Sequence, residues 1–162
     1  MRLRGIIVSV ATVGLMVGPA FAHGVLGSVA GAKKDCTITG TAADDTLNGT
    51  TRDDVICTRA GQDNVSADEG NDTIRLGQGD DNGSGDDGSD IVKGQQDDDD
   101  VYGDDQNDKL YGGQGDDGAF GYNGNDFVKT RDNVAGNDTA DGGNNTDTCR
   151  IDAGDTATSC EL

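Results

Sequence analysis

Ten aspartates, Asp45, Asp54, Asp63, Asp72, Asp81, Asp90, Asp99, Asp108, Asp117 and Asp126, follow one another at a constant spacing of nine residues. A carboxylate delivered at a fixed interval is an oxygen donor for a hard cation. Calcium is the best match, because its flexible shell of about six to eight oxygens suits loops rich in carboxylates and carbonyls better than the tight octahedron of Mg2+. The chain offers little for other chemistry. Its single histidine, His23, leaves no room for a histidine-based triad or a multi-histidine zinc site.

The residues around each Asp keep the same phase. Five positions before it stands Gly40, Gly49, Gly85, Gly94, Gly103, Gly112 or Gly121, and two before it Gly61, Gly70, Gly79, Gly88, Gly115 or Gly124. Two positions after it stands Leu47, Ile56, Val65, Ile74, Val92, Val101, Leu110 or Val128, with Gly83 and Ala119 as exceptions. The unit reads as a Gly-rich turn ending in Asp, then a three-residue strand with one apolar residue at its centre. After a slip of three residues the phase resumes at Asp138 and Asp147, which predicts a bulge or loop over residues 130–135. Upstream, Ile38 takes an apolar centre and Cys36 the Asp slot, as in a degenerate first repeat.

Composition narrows the fold. The 162-residue chain has 29 Asp but two Glu, Glu69 and Glu161, and a formal charge of −19. Asp favours caps and turns over helix interiors, so a helical bundle is excluded. With hydrophobic residues at 32%, disorder is expected unless something neutralises the charge. The acidity also argues against nucleic acid, whose binding needs a basic face.

Residues 1–22 read as a secretory signal peptide. Arg2 and Arg4 precede an apolar run from Ile6 to Val17, and Ala20-Phe21-Ala22 supplies a small-x-small cleavage site. The run is shorter than the roughly 20 residues that span a bilayer, so no membrane span is expected in the mature chain. Removal of the leader leaves ten basic against 31 acidic residues, a charge of −21. Export places Cys36, Cys57, Cys149 and Cys160 in an oxidising compartment. Three pairings are open, of which proximity in sequence favours Cys36 with Cys57 and Cys149 with Cys160.

The repeat resembles the calcium-binding nonapeptide of the RTX, or hemolysin-type, family: Gly-Gly-x-Gly-x-Asp, then x, a large apolar residue and x. The clearest copies are Gly112-Gly113-Gln114-Gly115-Asp116-Asp117 and Leu76-Gly77-Gln78-Gly79-Asp80-Asp81, and the resemblance runs from about Cys36 to Asp152. It implies an all-β fold, a parallel β-roll or β-helix-like solenoid in which two nonapeptides make one coil. Asp45, Asp63, Asp81, Asp99 and Asp117 would then form one column, and Asp54, Asp72, Asp90, Asp108 and Asp126 the other. Column neighbours would sit near the strand spacing of about 4.8 Å and repel one another unless a cation lies between them. Four gaps in each column give up to about eight Ca2+, with Asp138 and Asp147 as further ligands. An EF-hand is excluded: Asp80-x-Asn82-x-Ser84-Gly85 starts such a loop, but Ile91 stands where the bidentate Glu is needed.

Irregular positions predict uneven occupancy. Ala43, Arg52, Asp97, Gln106 and Asn145 replace the glycine two before the Asp, and Arg52 and Gln106 suit a left-handed backbone poorly. Gly83 and Ala119 leave their coils with little to bury. Tyr102 and Phe120, eighteen residues apart, should stack on one outer face, with Tyr111 on the other. The reading is a secreted, extracellular, non-enzymatic protein with a leader (1–22), an N-terminal cap or linker (23–35), a repeat array (36–150) and a C-terminal cap (151–162). Calcium ions are its partners and fold the array. The alternative is an extracellular adhesive or cell-surface interaction module in which calcium is only structural and the outer aromatics bind the partner.

Overall fold

A computed structural model describes residues 36–161; the expected leader and N-terminal cap lie outside them. Fourteen strands follow in order: β1 (Ile38–Thr39), β2 (Thr46–Asn48), β3 (Val55–Ala60), β4 (Asn64–Ser66), β5 (Thr73–Gln78), β6 (Asn82–Ser84), β7 (Ile91–Gln96), β8 (Asp100–Asp105), β9 (Lys109–Gln114), β10 (Gly118–Asn123), β11 (Phe127–Lys129), β12 (Thr139–Asp141), β13 (Thr148–Arg150) and β14 (Thr156–Thr158). Odd strands form one seven-stranded sheet and even strands the other. Every pairing is parallel between strands two apart in the chain, so the chain winds as a roll with one strand of each sheet per coil. No helix among the described residues is long and apolar enough to cross a membrane.

The register follows the two-nonapeptide coil. Ile56 pairs with Ile74, Ile74 with Val92 and Val92 with Leu110, eighteen residues apart each time. Across residues 130–135 the step becomes twenty-one, with Val128 opposite Cys149 and Ala119 opposite Ala140, and in the last pairing, Ala140 with Ala157, it is seventeen. The three extra residues are absorbed in the loop before Asp138, where the slip in phase placed them. Ile38 pairs with Ile56 and packs partly buried against the core, as a degenerate first repeat should.

Six strands run six residues rather than the expected three, continuing into the segment read as turn. The extension creates a second inward-facing column. In β3 both Ile56 and Thr58 are buried, in β5 both Ile74 and Leu76, and Ala67 follows Val65 in the same way. This corrects the expectation for Gly83. A Cβ built on Gly83 would stand 3.1 Å from both methyl carbons of Leu76, so Leu76 fills the space across the roll that the glycine leaves open. Ala119 is also fully buried within the same cluster.

Disulfides staple both ends. Cys36 joins Cys57 with Cα atoms 6.0 Å apart, and Cys149 joins Cys160 at 5.5 Å. Each ties a terminal segment to a strand of the array, which limits fraying where a stacked coil has only one neighbour.

Leu76→Ala should lower stability in saturating calcium by about 2–5 kcal/mol, since the facing glycine cannot close the cavity. Adding Gly83→Leu should restore part of that loss. Urea unfolding of the single and double variants checks both statements.

Candidate metal centre

The repeating Asp is held at the boundary between turn and strand by three of its own atoms. Its backbone carbonyl accepts the N–H of the first strand residue in the next coil, as in Ile91 to Asp72 and Asp100 to Asp81, both 2.9 Å. Its backbone N–H donates to the Oδ1 of the Asp one coil further on. In one column this ladder runs from Asp45 to Asp63 (2.7 Å), Asp81 (2.7 Å), Asp99 (3.1 Å), Asp117 (3.0 Å) and Asp138 (2.8 Å). In the other it runs from Asp54 to Asp72 (2.6 Å), Asp90 (2.6 Å), Asp108 (2.8 Å), Asp126 (2.8 Å) and Asp147 (2.8 Å). The two columns are those expected from the sequence, lengthened by one member each.

The second carboxylate oxygen separates these residues into two kinds. In Asp63, Asp72, Asp81, Asp90, Asp99, Asp108, Asp117, Asp126, Asp138 and Asp147 the Oδ2 atom is buried without a hydrogen-bond partner. In Asp45 it accepts from the backbone N–H (2.6 Å) and hydroxyl (2.9 Å) of Thr41, and in Asp54 from those of Thr50 (2.9 and 2.7 Å). The first turn of each column therefore closes on a threonine. The signal was present in the sequence as Gly40-Thr41 and Gly49-Thr50, where other copies carry Gly, Asp or, at Arg59, Gln95 and Tyr122, a longer side chain.

Ten buried, half-satisfied carboxyls are costly as anions. Asp99 and Asp108 are pushed up to about 8 and Asp90 and Asp117 to about 7, mainly by burial; Asp81, Asp126 and Asp138 rise to about 6, and Asp72 is also raised. Neighbouring carboxylates add to each shift but rank below desolvation. Column neighbours thus differ from the expected picture of bare, mutually repelling anions: a backbone N–H lies between each pair, and loss of solvent is the larger cost.

The glycine five positions before the Asp lets Oδ2 and a main-chain carbonyl approach its Cα more closely than any side chain would allow. A Cβ built on Gly94 would lie 2.2 Å from Asp99 Oδ2 and 2.5 Å from the carbonyl oxygen of Gly112, one coil on, so the two oxygens converge there. Gly103 is placed likewise against Asp108 Oδ2 (2.4 Å) and Gly121 O (2.9 Å), Gly121 against Asp126 Oδ2 and Gly142 O (both 2.4 Å), and Gly142 against Asp147 Oδ2 (2.7 Å) and Ser159 O (2.3 Å). Gly85 and Gly112 admit the same close approach of Asp90 and Asp117, whose Oδ2 would lie 2.5 Å from a Cβ built on each. Thr58, Ala67 and Leu76 take this position ahead of Asp63, Asp72 and Asp81, and Thr130, eight residues ahead of Asp138 because of the inserted loop, takes the equivalent place in the stack. Among the described residues no three His, Cys, Asp or Glu side chains converge as a cage. The donors are one carboxylate oxygen and a main-chain carbonyl, a set that fits a hard cation such as Ca2+ and not Zn2+.

The glycine two before the Asp matters less than expected. Asp97, Gln106 and Asn145 replace it and still adopt its left-handed conformation, with φ of 70°, 80° and 85°. The turn is therefore preserved at a backbone cost, whereas Arg52 stays out of that region. Gln106→Gly should raise stability in calcium by up to about 1 kcal/mol, read as a higher urea midpoint.

The family model for the RTX calcium-binding nonapeptide repeat matches the chain in four overlapping copies, at residues 39–74, 58–92, 75–110 and 93–128. The matched stretch is more than half of the 162 residues and coincides with the stacked coils that carry the buried Asp columns. The chain has no match among the curated proteins or solved structures compared with it. Its repeats, its parallel roll and its half-satisfied aspartates make it a member of the RTX calcium-binding nonapeptide repeat family.

Proposed function

We propose that this protein is secreted and that its array folds when Ca2+ fills the spaces beside the buried Asp Oδ2 atoms. The observation that carries this reading is the set of ten buried carboxylate oxygens without a partner. When bound, the ion supplies the positive charge and the ligand bonds that these oxygens lack.

The residues would not contribute equally. Asp90, Asp99, Asp108, Asp117, Asp126 and Asp147 hold Oδ2 beside a glycine and would be the principal ligands, with turn carbonyls such as Gly112 O and Gly121 O. Asp63, Asp72, Asp81 and Asp138 face a side chain in that space and would bind more weakly. Asp45 and Asp54, already closed by Thr41 and Thr50, would serve as caps. This arrangement concentrates binding in the C-terminal two thirds of the roll. The disulfides support export, because such bridges persist in oxidising compartments. The stacked aromatics of the outer faces support a second role as an extracellular interaction module.

Far-UV spectra should change from a disordered to a β profile on calcium addition and revert with chelator. An unchanged spectrum would contradict folding on binding. Calorimetric titration should count about six strong sites; Gly103→Ala should remove one by placing a methyl between Asp108 Oδ2 and Gly121 O, whereas Thr41→Val should leave the count intact.

The raised carboxyls also fix a pH response. They bind protons more tightly in the fold than in the unfolded chain, so the metal-free roll gains stability as pH falls from about 8 towards the ordinary carboxylate range and loses it as pH rises. Calcium requires the ionised form, so its affinity should be highest above about pH 8 and fall steadily towards about pH 6, with proton release on binding. Titrations in buffers of different ionisation enthalpy measure that release; a pH-independent affinity over this range would contradict the burial of the ligands.

A further inference from the structure

The two outer faces of the roll carry opposite charge. Every basic residue located in a strand, Arg59, Arg75, Lys93, Lys109, Lys129 and Arg150, lies in the sheet of odd strands, which contains no acidic residue. Every acidic residue located in a strand, Asp100, Asp104, Asp105 and Asp141, lies in the sheet of even strands, which contains no basic residue. In a chain with 31 acidic residues and 12 basic ones, cations with no acid in their sheet are contrary to what random placement would give.

The cations of the odd sheet form a file. Arg75 pairs in register with Lys93, Lys93 with Tyr111, Tyr111 with Lys129 and Lys129 with Arg150, so the file advances by one strand spacing, about 4.8 Å, at each step. None of these cations is held by a carboxylate. The one ion pair among the described residues is Arg131 with Asp152, in loops outside both sheets. Lys93 Nζ lies instead 5.5 Å from the Tyr111 ring centre, and the Arg150 guanidinium carbon 5.3 Å from that of Phe127. The even sheet carries its own aromatic strip: Tyr102 stacks on Phe120 at 5.3 Å and on Tyr122 at 6.2 Å, and Tyr122 is 47% exposed.

We infer that the odd-strand face of one copy docks on the even-strand face of another, stacking rolls face to face. Both partners of the contact are present on one chain: a flat cationic face with Tyr111 and Phe127, and a flat anionic face with Tyr102, Phe120 and Tyr122. Their strand pitches are equal, so rows of side chains on the two faces stay in step along the whole contact, as rows on sheets that pack within a β-sandwich do. Like faces are excluded, because odd face on odd face sets cations against cations. The contact is therefore heterologous and leaves a free face at each end, so growth is open rather than closed at a dimer. Each face, seven strands wide and two to six residues deep, is small for a stable interface, so assembly is weak and concentration-dependent. Calcium enters by neutralising the acidic columns that flank both faces; in this respect the inference rests on the calcium reading.

The test is sedimentation of the full mature chain in saturating calcium. Wild type should grow in average mass by at least about twofold between about 10 μM and 1 mM in low salt, and revert to monomer in about 1 M salt, where screening lengths fall to about 3 Å. The variant Arg75→Glu/Lys93→Glu/Lys129→Glu/Arg150→Glu, which makes the odd face net negative, and the variant Asp100→Lys/Asp104→Lys/Asp105→Lys/Asp141→Lys, which makes the even face positive, should each be monomeric. Mixed together they should assemble, because each then presents two faces of one sign to a partner with two of the other. Far-UV spectra of the same samples report folding separately, so failure of calcium-dependent folding is distinguishable from failure of docking. Folded wild type that stays monomeric at about 1 mM, a closed dimer, or a mixture of folded variants that does not assemble would overturn the inference.

Discussion

The structure depends on a carboxylate buried with one oxygen satisfied and the other not. Through Oδ1 each repeating Asp accepts the N–H of its counterpart one coil back, which stitches successive turns together. Through Oδ2 it brings an unsatisfied anion into the interior. The first contact favours the roll and the second opposes it, so the roll is stable only where something completes the second. At the start of each column a threonine does so, and further along Oδ2 lies without a hydrogen-bond partner, in four coils close to a carbonyl of the next coil, which leaves that role to an ion.

The hydrophobic core is too thin to decide the matter alone. Each nonapeptide but the one centred on Gly83 contributes one apolar centre, and the second inward position holds glycine in the first two and most later copies and Thr58, Ala67 or Leu76 between them. Packing and metal sites compete for that position. Where a side chain fills it the coil gains contacts, as Leu76 does over Gly83, and where glycine stands Oδ2 and a carbonyl close in on its Cα. The roll thus passes from an N-terminal part closed by side chains and the Cys36–Cys57 bridge to a C-terminal part in which unpartnered Oδ2 atoms lie against glycines.

Much of this was legible in the sequence, for physical reasons. A solenoid repeats its backbone, so the period of nine, the pairing of nonapeptides into coils, the two Asp columns and the slip before Asp138 all left marks at fixed spacing. Cysteine pairing followed from proximity. Other features were hidden because they join residues in different coils. The Oδ1 ladder, the cover of Gly83 by Leu76 and the closure of Asp45 and Asp54 by threonine depend on which atoms meet, not on which residue types recur. Gln106 was misjudged because a residue with a poor left-handed preference still takes φ of 80° when its neighbours impose the turn. The opposite signs of the two faces are invisible at the nine-residue spacing because Arg75 and Lys93, or Asp100 and Asp141, belong to alternate nonapeptides, and a period of nine mixes what a period of eighteen separates.

The central claim concerns where the ions sit, and a crystal structure of the calcium-loaded protein tests it most directly. The account predicts ions about 2.3–2.6 Å from the Oδ2 atoms of Asp90, Asp99, Asp108, Asp117, Asp126 and Asp147, with turn carbonyls completing the shell, and none at Asp45 or Asp54. Ions found only on the outer acidic rows, such as Asp80, Asp98 and Asp116, with the buried Oδ2 atoms still without partners, would contradict it.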